Sequence, residues 1–461
     1  MVAPTFIFET ARHFLYKAQK KIADAMASAL LPSALLISNY FYNLAHRSAL
    51  NQTQTFRMYN ICPSHRLNQT LRFSIRCFIL PIMKKSKLMI LLFAGLFLTD
   101  FAFAQHDNPG QKPKKDVLQE KAGEVQLPEG FEDVEVLDKE AYSPRPIDTT
   151  SGLAIIGFGS CNKINLPQLW TEVNANDPNL WIWLGDIIYA DTADMKALAA
   201  HYKLLKTNPG YKKLRSTAQI IGVYDDHDYG VNDGGKEYPM KKGSKKCLMD
   251  FLDVPMKSPL RKREGAYSSY TFGKDGQRIK IIIMDTRYFR DALEPDPTKK
   301  RRYIPNMTGT MLGEVQWKWL ENELRNSKAN LNILCSSVQV LSDEHPHEKW
   351  GNFPNQRKRL LQLIAQTKPK NLLILSGDRH MTEVSKMDMQ GLPYPLYDFT
   401  SSGMTHIRSG TSEANRYRVG QMIVKKNFGI LKIYWVNDNP VVTMQARGTG
   451  NELLQEIVVK Y

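Results

Sequence analysis

The chain has 461 residues, of which 43% are hydrophobic, 23% charged and 10% aromatic. That is enough apolar material for one large globular domain or two ordinary ones, and five cysteines are too few for a disulfide-stapled fold. A mean hydropathy of −0.38 excludes a polytopic membrane protein. The formal charge of +16 would suit nucleic acid or anionic lipid, but it is unevenly spread. Within residues 1–104, twelve Lys and Arg face only Glu9, Asp24 and Asp100, which places more than half of the surplus there.

From Met83 the sequence reads as a basic stretch (Lys84, Lys85, Lys87), an apolar run over 88–98, and small residues at Ala102 and Ala104. This is the pattern of a secretory signal peptide cleaved after Ala104. The apolar run is too short for a comfortable membrane span, although a transmembrane anchor is the competing reading. The residue directly after Ala104 is Gln105 rather than a cysteine, so no lipid anchor is expected, and no stable membrane anchor. A signal peptide must stand first to be read, so we expect 1–82 to be an upstream extension from a start codon placed too early. A genuine disordered extension is the alternative. The working protein is then expected to be periplasmic or secreted. It keeps Cys161, Cys247 and Cys335, an odd count that leaves a thiol free for a metal.

Residues 105–150 are rich in Pro, Lys and Glu and predict a linker or surface arm. From 151 onward strands and helices alternate. Leu153–Phe158 predicts a buried strand running into Ser160-Cys161. A short helix over Pro167–Val173 and a strand over Leu180–Leu184 follow, the strand stopped by Gly185-Asp186. Asp194–Leu205 has helical spacing with Asp194 as N-cap. Gln219–Val223 predicts a third strand, ending in Asp225-Asp226-His227-Asp228. Basic loops are expected around 236–246, 261–263 and 299–302. Tyr267–Phe272 and Arg278–Met284 predict a hairpin turning at Asp275-Gly276, and Asp285-Thr286-Arg287 follows it. Helices over Leu312–Leu324 and Gln356–Ile364 alternate with strands over Leu331–Leu334 and Asn371–Leu375, the last ending in Gly377-Asp378-Arg379-His380. The loop 343–352, carrying His345, His347 and Trp350, is expected to be solvated, with a place on the rim of the pocket as the alternative. Three antiparallel strands close the chain at Gly429–Val436, Val441–Gln445 and Leu454–Val459.

A single Asp after a strand is usually a turn residue or a cap. Here several strands end in Cys161, Asp186, Asp225/Asp226/His227, Asp285 and Asp378/His380, and strand ends are where ligands gather in α/β sheets. These are metal-ligating residue types, and clustered carboxylates repel one another unless a cation neutralises them.

Gly185-Asp186-Ile187-Ile188-Tyr189 resembles the Gly-Asp-x-x-Tyr motif of purple-acid-phosphatase-type metallophosphoesterases. Asp225–Asp228 resembles their Gly-Asn-His-(Asp/Glu) motif, and Gly377–His380 their Gly-His-x-His motif with Asp378 in place of the first His. Together with Ser160-Cys161 and Asp285-Thr286-Arg287, the set is similar to the alkaline phosphatase D (PhoD-like) branch over about 154–407. The resemblance implies a four-layer αββα sandwich of two mixed β-sheets flanked by helices. It implies iron(III) and calcium, with Cys161, Asp186, Tyr189, Asp226, Asp378 and His380 as ligands and Asp186 bridging. Thiolate and phenolate suit a trivalent iron, and carboxylates suit a harder partner ion.

The expected activity is hydrolysis of phosphate monoesters or diesters by a metal-activated hydroxide. His227 would protonate the leaving group or hold the phosphate, and Arg287 would grip the phosphate bidentately. The residues alone leave other readings open: Arg287 in a salt bridge with Asp285 or Asp291, His227 and Tyr189 as structural groups, and Cys161 as small apolar packing. Cys247 and Cys335 read as packing residues, and Asn232 and Asp233 as further candidate ligands. Two departures stand out: the small β-domain that often precedes the catalytic part has no room in 105–150, and no Val-x-x-His ligand is visible. Small phosphate esters are the expected partners, with phospholipid or polyanionic substrates as extensions and no obligate nucleic acid. The rival functions are a phospholipase-C-like diesterase on the same scaffold and a secreted, non-catalytic metal- or polyanion-binding protein.

Overall fold

The structure, a computed structural model, describes residues 144–408 and 412–461. The extension 1–82, the signal peptide 83–104 and the arm up to residue 143 lie outside the described residues. The end of the arm, 144–150, runs along the surface. The Arg145 N–H donates to the Arg215 carbonyl at 2.9 Å, and the Thr149 carbonyl accepts from the Gly273 N–H at 3.1 Å.

In chain order the elements are β1 (Ile155–Gly159), α1 (Trp170–Asn174), β2 (Leu180–Leu184), α2 (Met195–Thr207), α3 (Pro209–Thr217), β3 (Gln219–Val223), α4 (Asp226–Tyr229), α5 (Lys241–Phe251) and α6 (Pro259–Lys262). Then come β4 (Ser268–Phe272), β5 (Ile279–Ile283), β6 (Glu294–Pro295), β7 (Tyr303–Ile304), α7 (Gly313–Arg325), β8 (Leu331–Ser336), α8 (Pro354–Thr367), β9 (Leu372–Ser376), β10 (Thr382–Met387), β11 (Leu396–Ser401) and β12 (Arg418–Ile423). The strands β13 (Phe428–Val436), β14 (Asn439–Arg447) and β15 (Leu453–Lys460) complete the fold.

Two large mixed sheets result. The first has the order β15-β14-β13-β1-β2-β3, with β1, β2 and β3 parallel and β13 antiparallel to β1. The second has the order β12-β10-β11-β9-β8-β5-β4, with β5, β8, β9 and β11 parallel. The two-residue period of each strand divides its side chains between layers. Ile281, Ile283, Ile333, Cys335, Leu373 and Leu375 turn into a core shared with Phe158, Ile182 and Ile430 of the first sheet. Ile282, Leu334, Leu372 and Ile374 turn the other way, onto Trp317 and Leu320 of α7 and Leu360 and Ile364 of α8. Phe158 and Phe399 meet edge-on across the seam at 5.0 Å. On the outer face of the first sheet Trp181 and Trp183 pack against Trp170 of α1 and Tyr211 of α3. The layers are therefore helix, sheet, sheet, helix, the expected sandwich.

Two expectations need correction. Of the expected basic loops, 241–246 opens α5, whose apolar face (Leu248, Met249, Phe251) is buried, and Arg261 and Lys262 belong to α6. Lys245 is itself buried, its ammonium on the carbonyls of Arg261 and Arg263. The 343–352 loop is not a solvated one, because Trp350 is fully buried and His345 is 3% exposed. Cys161, Cys247 and Cys335 are all free and buried.

Candidate metal centre

The parallel strands of both sheets deliver polar residues from their C-terminal ends into one place. The edges meet closely. A Cβ on Gly377, after β9, would lie 2.6 Å from the Leu184 carbonyl and 2.8 Å from Ser160 Oγ. Gly185, after β2, has φ +87°, and a Cβ there would fall 2.2 Å from that of Asp225. Only glycine lets these turns approach.

Around this seam Cys161 Sγ lies 3.3 Å from Asp186 Oδ2. The Tyr189 hydroxyl donates to the same oxygen at 3.1 Å and lies 3.1 Å from His380 Nε2. Potential ligand atoms of Cys161, Asp186 and His380 fall within 4.8 Å of one another, as do those of Asp186, Asp225 and Asp378. Asp186 thus belongs to both groups. Two further groups join at this edge: Asp186, Asp226 and His227, and Asp226, Asp233 and Glu348.

Five of these residues, Cys161, Asp186, Asp233, Asp378 and His380, have φ between +49° and +69°. None is glycine, and such conformations cluster where function requires them. Neighbouring side chains hold the turns there. Asp228 accepts from the N–H groups of Asp186 (3.1 Å), Ile187 (3.1 Å) and Asp225 (2.7 Å) and from the Tyr202 hydroxyl (3.1 Å). One carboxylate therefore fixes the turns after β2 and β3 together. Asp285 does the same for its own loop, taking the Ala266, Arg287 and Tyr288 N–H groups and the Tyr224 hydroxyl.

The electrostatics of the cluster suit cations. Burial, then Asp186 and Asp378, push the Cys161 thiol well up. Burial, then Asp226, push Asp186 well up. Burial raises Asp378 to about 6, against the pull of Arg379. Burial, then Asp186 and Cys161, raise the Tyr189 phenol. Buried acids that hinder one another's ionisation are the surroundings that a cation reverses. Asp186 Oδ1 and Asp225 Oδ2 are moreover buried without a hydrogen-bond partner. The donor set fits two cations sharing Asp186: a thiolate, phenolate, imidazole and carboxylate on one side, and carboxylates on the other.

The structure thus gathers Cys161, Asp186, Tyr189, Asp226, Asp378, His380 and His227. It also supplies Asp225, which the sequence reading left out of its ligand set. Arg287 is the correction. Its guanidinium is fully buried, with Nε 2.6 Å from Asp225 Oδ1 and Nη1 2.8 Å from Glu348. With no exposed surface it does not reach a substrate; it aims Asp225, with Ser337 Oγ at 2.6 Å on the same oxygen. The expected Asp285 and Asp291 partners do not hold its side chain either. Asp233 lies in a ligand group, whereas Asn232 is exposed beside it. His406 joins the rim, 4.3 Å from the His380 ring and 5.1 Å from Tyr189 between ring centres.

His227 faces outward, its ring stacked on Tyr189 at 4.1 Å and its Nδ1 2.8 Å from Asp191. Burial opposes its charge, but Asp226, Asp186 and Asp191 outweigh burial and raise it to about 11.

Two mixed sheets flanked by helices carry this candidate metal site at their common edge, a fold shared with a solved structure of PhoD. The chain belongs to the PhoD-like phosphatase family, whose sequence model matches residues 156–450. It is 26% identical over 175 residues to alkaline phosphatase D of Bacillus subtilis (strain 168), a match covering 35% of this chain and 29% of that protein. The match therefore spans under a third of the curated relative. A solved structure of PhoD superposes with a TM-score of 0.53 at 16% identity, covering 69% of this chain and 70% of the other. A purple acid phosphatase from yellow lupin seeds gives a TM-score of 0.48 at 12% identity, covering 69% and 55%.

Proposed function

We propose that the protein is an exported phosphoesterase that hydrolyses phosphate monoesters or diesters at a two-cation centre. Cys161, Tyr189, His380 and Asp186 would hold an iron(III). Asp186, Asp225 and Asp378, with Asp226 beside them, would hold a calcium ion. When bound, the ions supply Lewis-acid polarisation of the phosphoryl group and neutralise its charge. The protein supplies position and a proton. Asp228 and Arg287 hold the ligand-bearing turns in register, which pre-sets the geometry before substrate arrives. His227, braced by Asp191, would offer its Nε2 to the leaving oxygen. Export would follow from the signal peptide at 83–104, with the mature chain starting at Gln105.

The observation that carries this reading is the convergence of the Cys161 thiol, the Tyr189 phenol and the His380 imidazole on Asp186 from three separate strand ends. The test is elemental analysis of natively purified protein, with turnover of an aryl phosphate and a bis-aryl phosphate. Iron, a visible phenolate-to-iron band lost in Tyr189→Phe, and hydrolysis of at least one ester are expected. A Cys161→Ala protein with full iron and full activity would sink the ligand assignment. N-terminal sequencing of the exported protein checks cleavage after Ala104.

A further inference from the structure

Beside the metal centre lies a cavity of about 560 Å³. Tyr303 is their shared wall. It lines the cavity, and its hydroxyl donates to Asp233, whose N–H in turn holds Asp226 at 2.8 Å. Two side chains at the cavity are buried, one with a single polar contact and one with none. Lys349 is 6% exposed, and its ammonium touches a single acceptor, the His347 carbonyl at 2.9 Å. Among the described residues no carboxylate forms an ion pair with it. His345 is 3% exposed, and both of its ring nitrogens are buried without a partner.

The charge around them is mostly positive. Arg301 and Lys358 also line the cavity, and Arg379 and Arg408 stand close enough behind it to depress the charge on His345. Asp343 is the acid of the lining, and it is already paired with Arg357 at 3.2 Å and Arg416 at 3.5 Å. Leaving a buried ammonium without a counter-charge and a buried imidazole without a hydrogen-bond partner is costly. An oxyanion in the cavity would remove that cost, taking a charge-assisted hydrogen bond from Lys349 and a second from His345.

Building on the phosphoesterase reading, we propose that Lys349, His345 and Arg301 form a second oxyanion site, which receives a further phosphate-like group of the substrate while its scissile phosphate sits at the metal centre. The substrate class is then a phosphate ester bearing a second anionic group, rather than a simple alkyl phosphate.

The experiment compares α,ω-alkanediol bisphosphates of two to eight carbons with the matching alkyl monophosphates. The expected result is a preference in kcat/KM of about tenfold or more for the bisphosphate at one spacer length. Lys349→Met and the exposed Arg301→Ala should each lower that ratio several-fold. A flat ratio at every spacer in the wild type, or a ratio unmoved by both variants, overturns the second site while leaving the phosphoesterase reading intact. If the loaded protein turns over neither ester, the phosphoesterase reading fails on its own. The second site is then judged by calorimetry with alkane bisphosphonates against monophosphonates, where equal affinities overturn it. A flat ratio together with thermal protection by methylphosphonate in the wild type but not in Lys349→Met assigns the site to free oxyanions and removes it from the substrate.

Discussion

At the residue scale, the centre depends on side chains that leave strand ends through left-handed turns. A non-glycine residue there costs on the order of 1 kcal/mol, and Cys161, Asp186, Asp378 and His380 all accept it. The turn rotates each side chain away from the next loop and toward the seam. Asp186 is the one residue shared by both principal ligand groups. It follows that Asp186→Asn should strip both ions, whereas Asp378→Asn should strip only the ion on the carboxylate side. Elemental analysis of the two purified variants checks this, and equal iron in both would contradict a shared Asp186. That both of two adjacent acids turn inward was not legible in the sequence. Asp225 precedes α4 and Asp226 begins it, so both sit at a strand–helix junction where period alone gives no direction. The deciding contacts, Arg287 and Ser337 on Asp225 Oδ1, come from the loops after β5 and β8, far along the chain.

At the scale of elements, strongly apolar strands and capped helices were readable because their pattern is local. Asp194 caps α2 through the Lys196 and Ala197 N–H groups, and β2, β5 and β9 are near-continuous apolar runs of a sheet covered on both faces. Strands β10 to β12 were not legible for the opposite reason. Thr382, Glu383 and Ser385 are buried polar residues of β10, and Glu383 is satisfied by Arg418 at 2.6 Å and by Gln339 at 2.8 Å. Such partners exist only after folding. The loop from β8 to α8 carries the same lesson and a pH dependence. Burial, then Arg379 and Arg408, push His347 down to about 2, although Glu413 lies 3.5 Å away. In the unfolded chain this imidazole takes a proton below about 6.5, whereas the folded protein refuses it until about 2. Stability is therefore lost as pH falls through about 6.5. Thermal midpoints measured from about pH 7 to about pH 5, the span that brackets the free imidazole, should fall more steeply in the wild type than in His347→Gln. Parallel curves would show that the loop tolerates the charge.

At the scale of the whole molecule, the site is also a joint. Cys161, Asp186 and Asp225 follow strands of the first sheet, and Asp378 and His380 follow a strand of the second. The apolar core between the sheets gives adhesion without direction, while ions shared by ligands from both would fix their edges at one spacing. Ions that bind only the folded chain stabilise it by mass action, about 2.7 kcal/mol per site at a hundredfold excess over Kd. For a domain of this size each kcal/mol moves the midpoint by about 2–4 °C. Exhaustive chelation should therefore lower the thermal midpoint by at least about 5 °C, and adding iron and calcium back should restore it. The Asp186→Asn protein, unable to bridge, should begin at the lower midpoint and respond to neither treatment. A wild type whose midpoint ignores chelation, with the metals shown to be gone, would mean that the core alone holds the sheets in register and that the ions serve the chemistry without serving the fold.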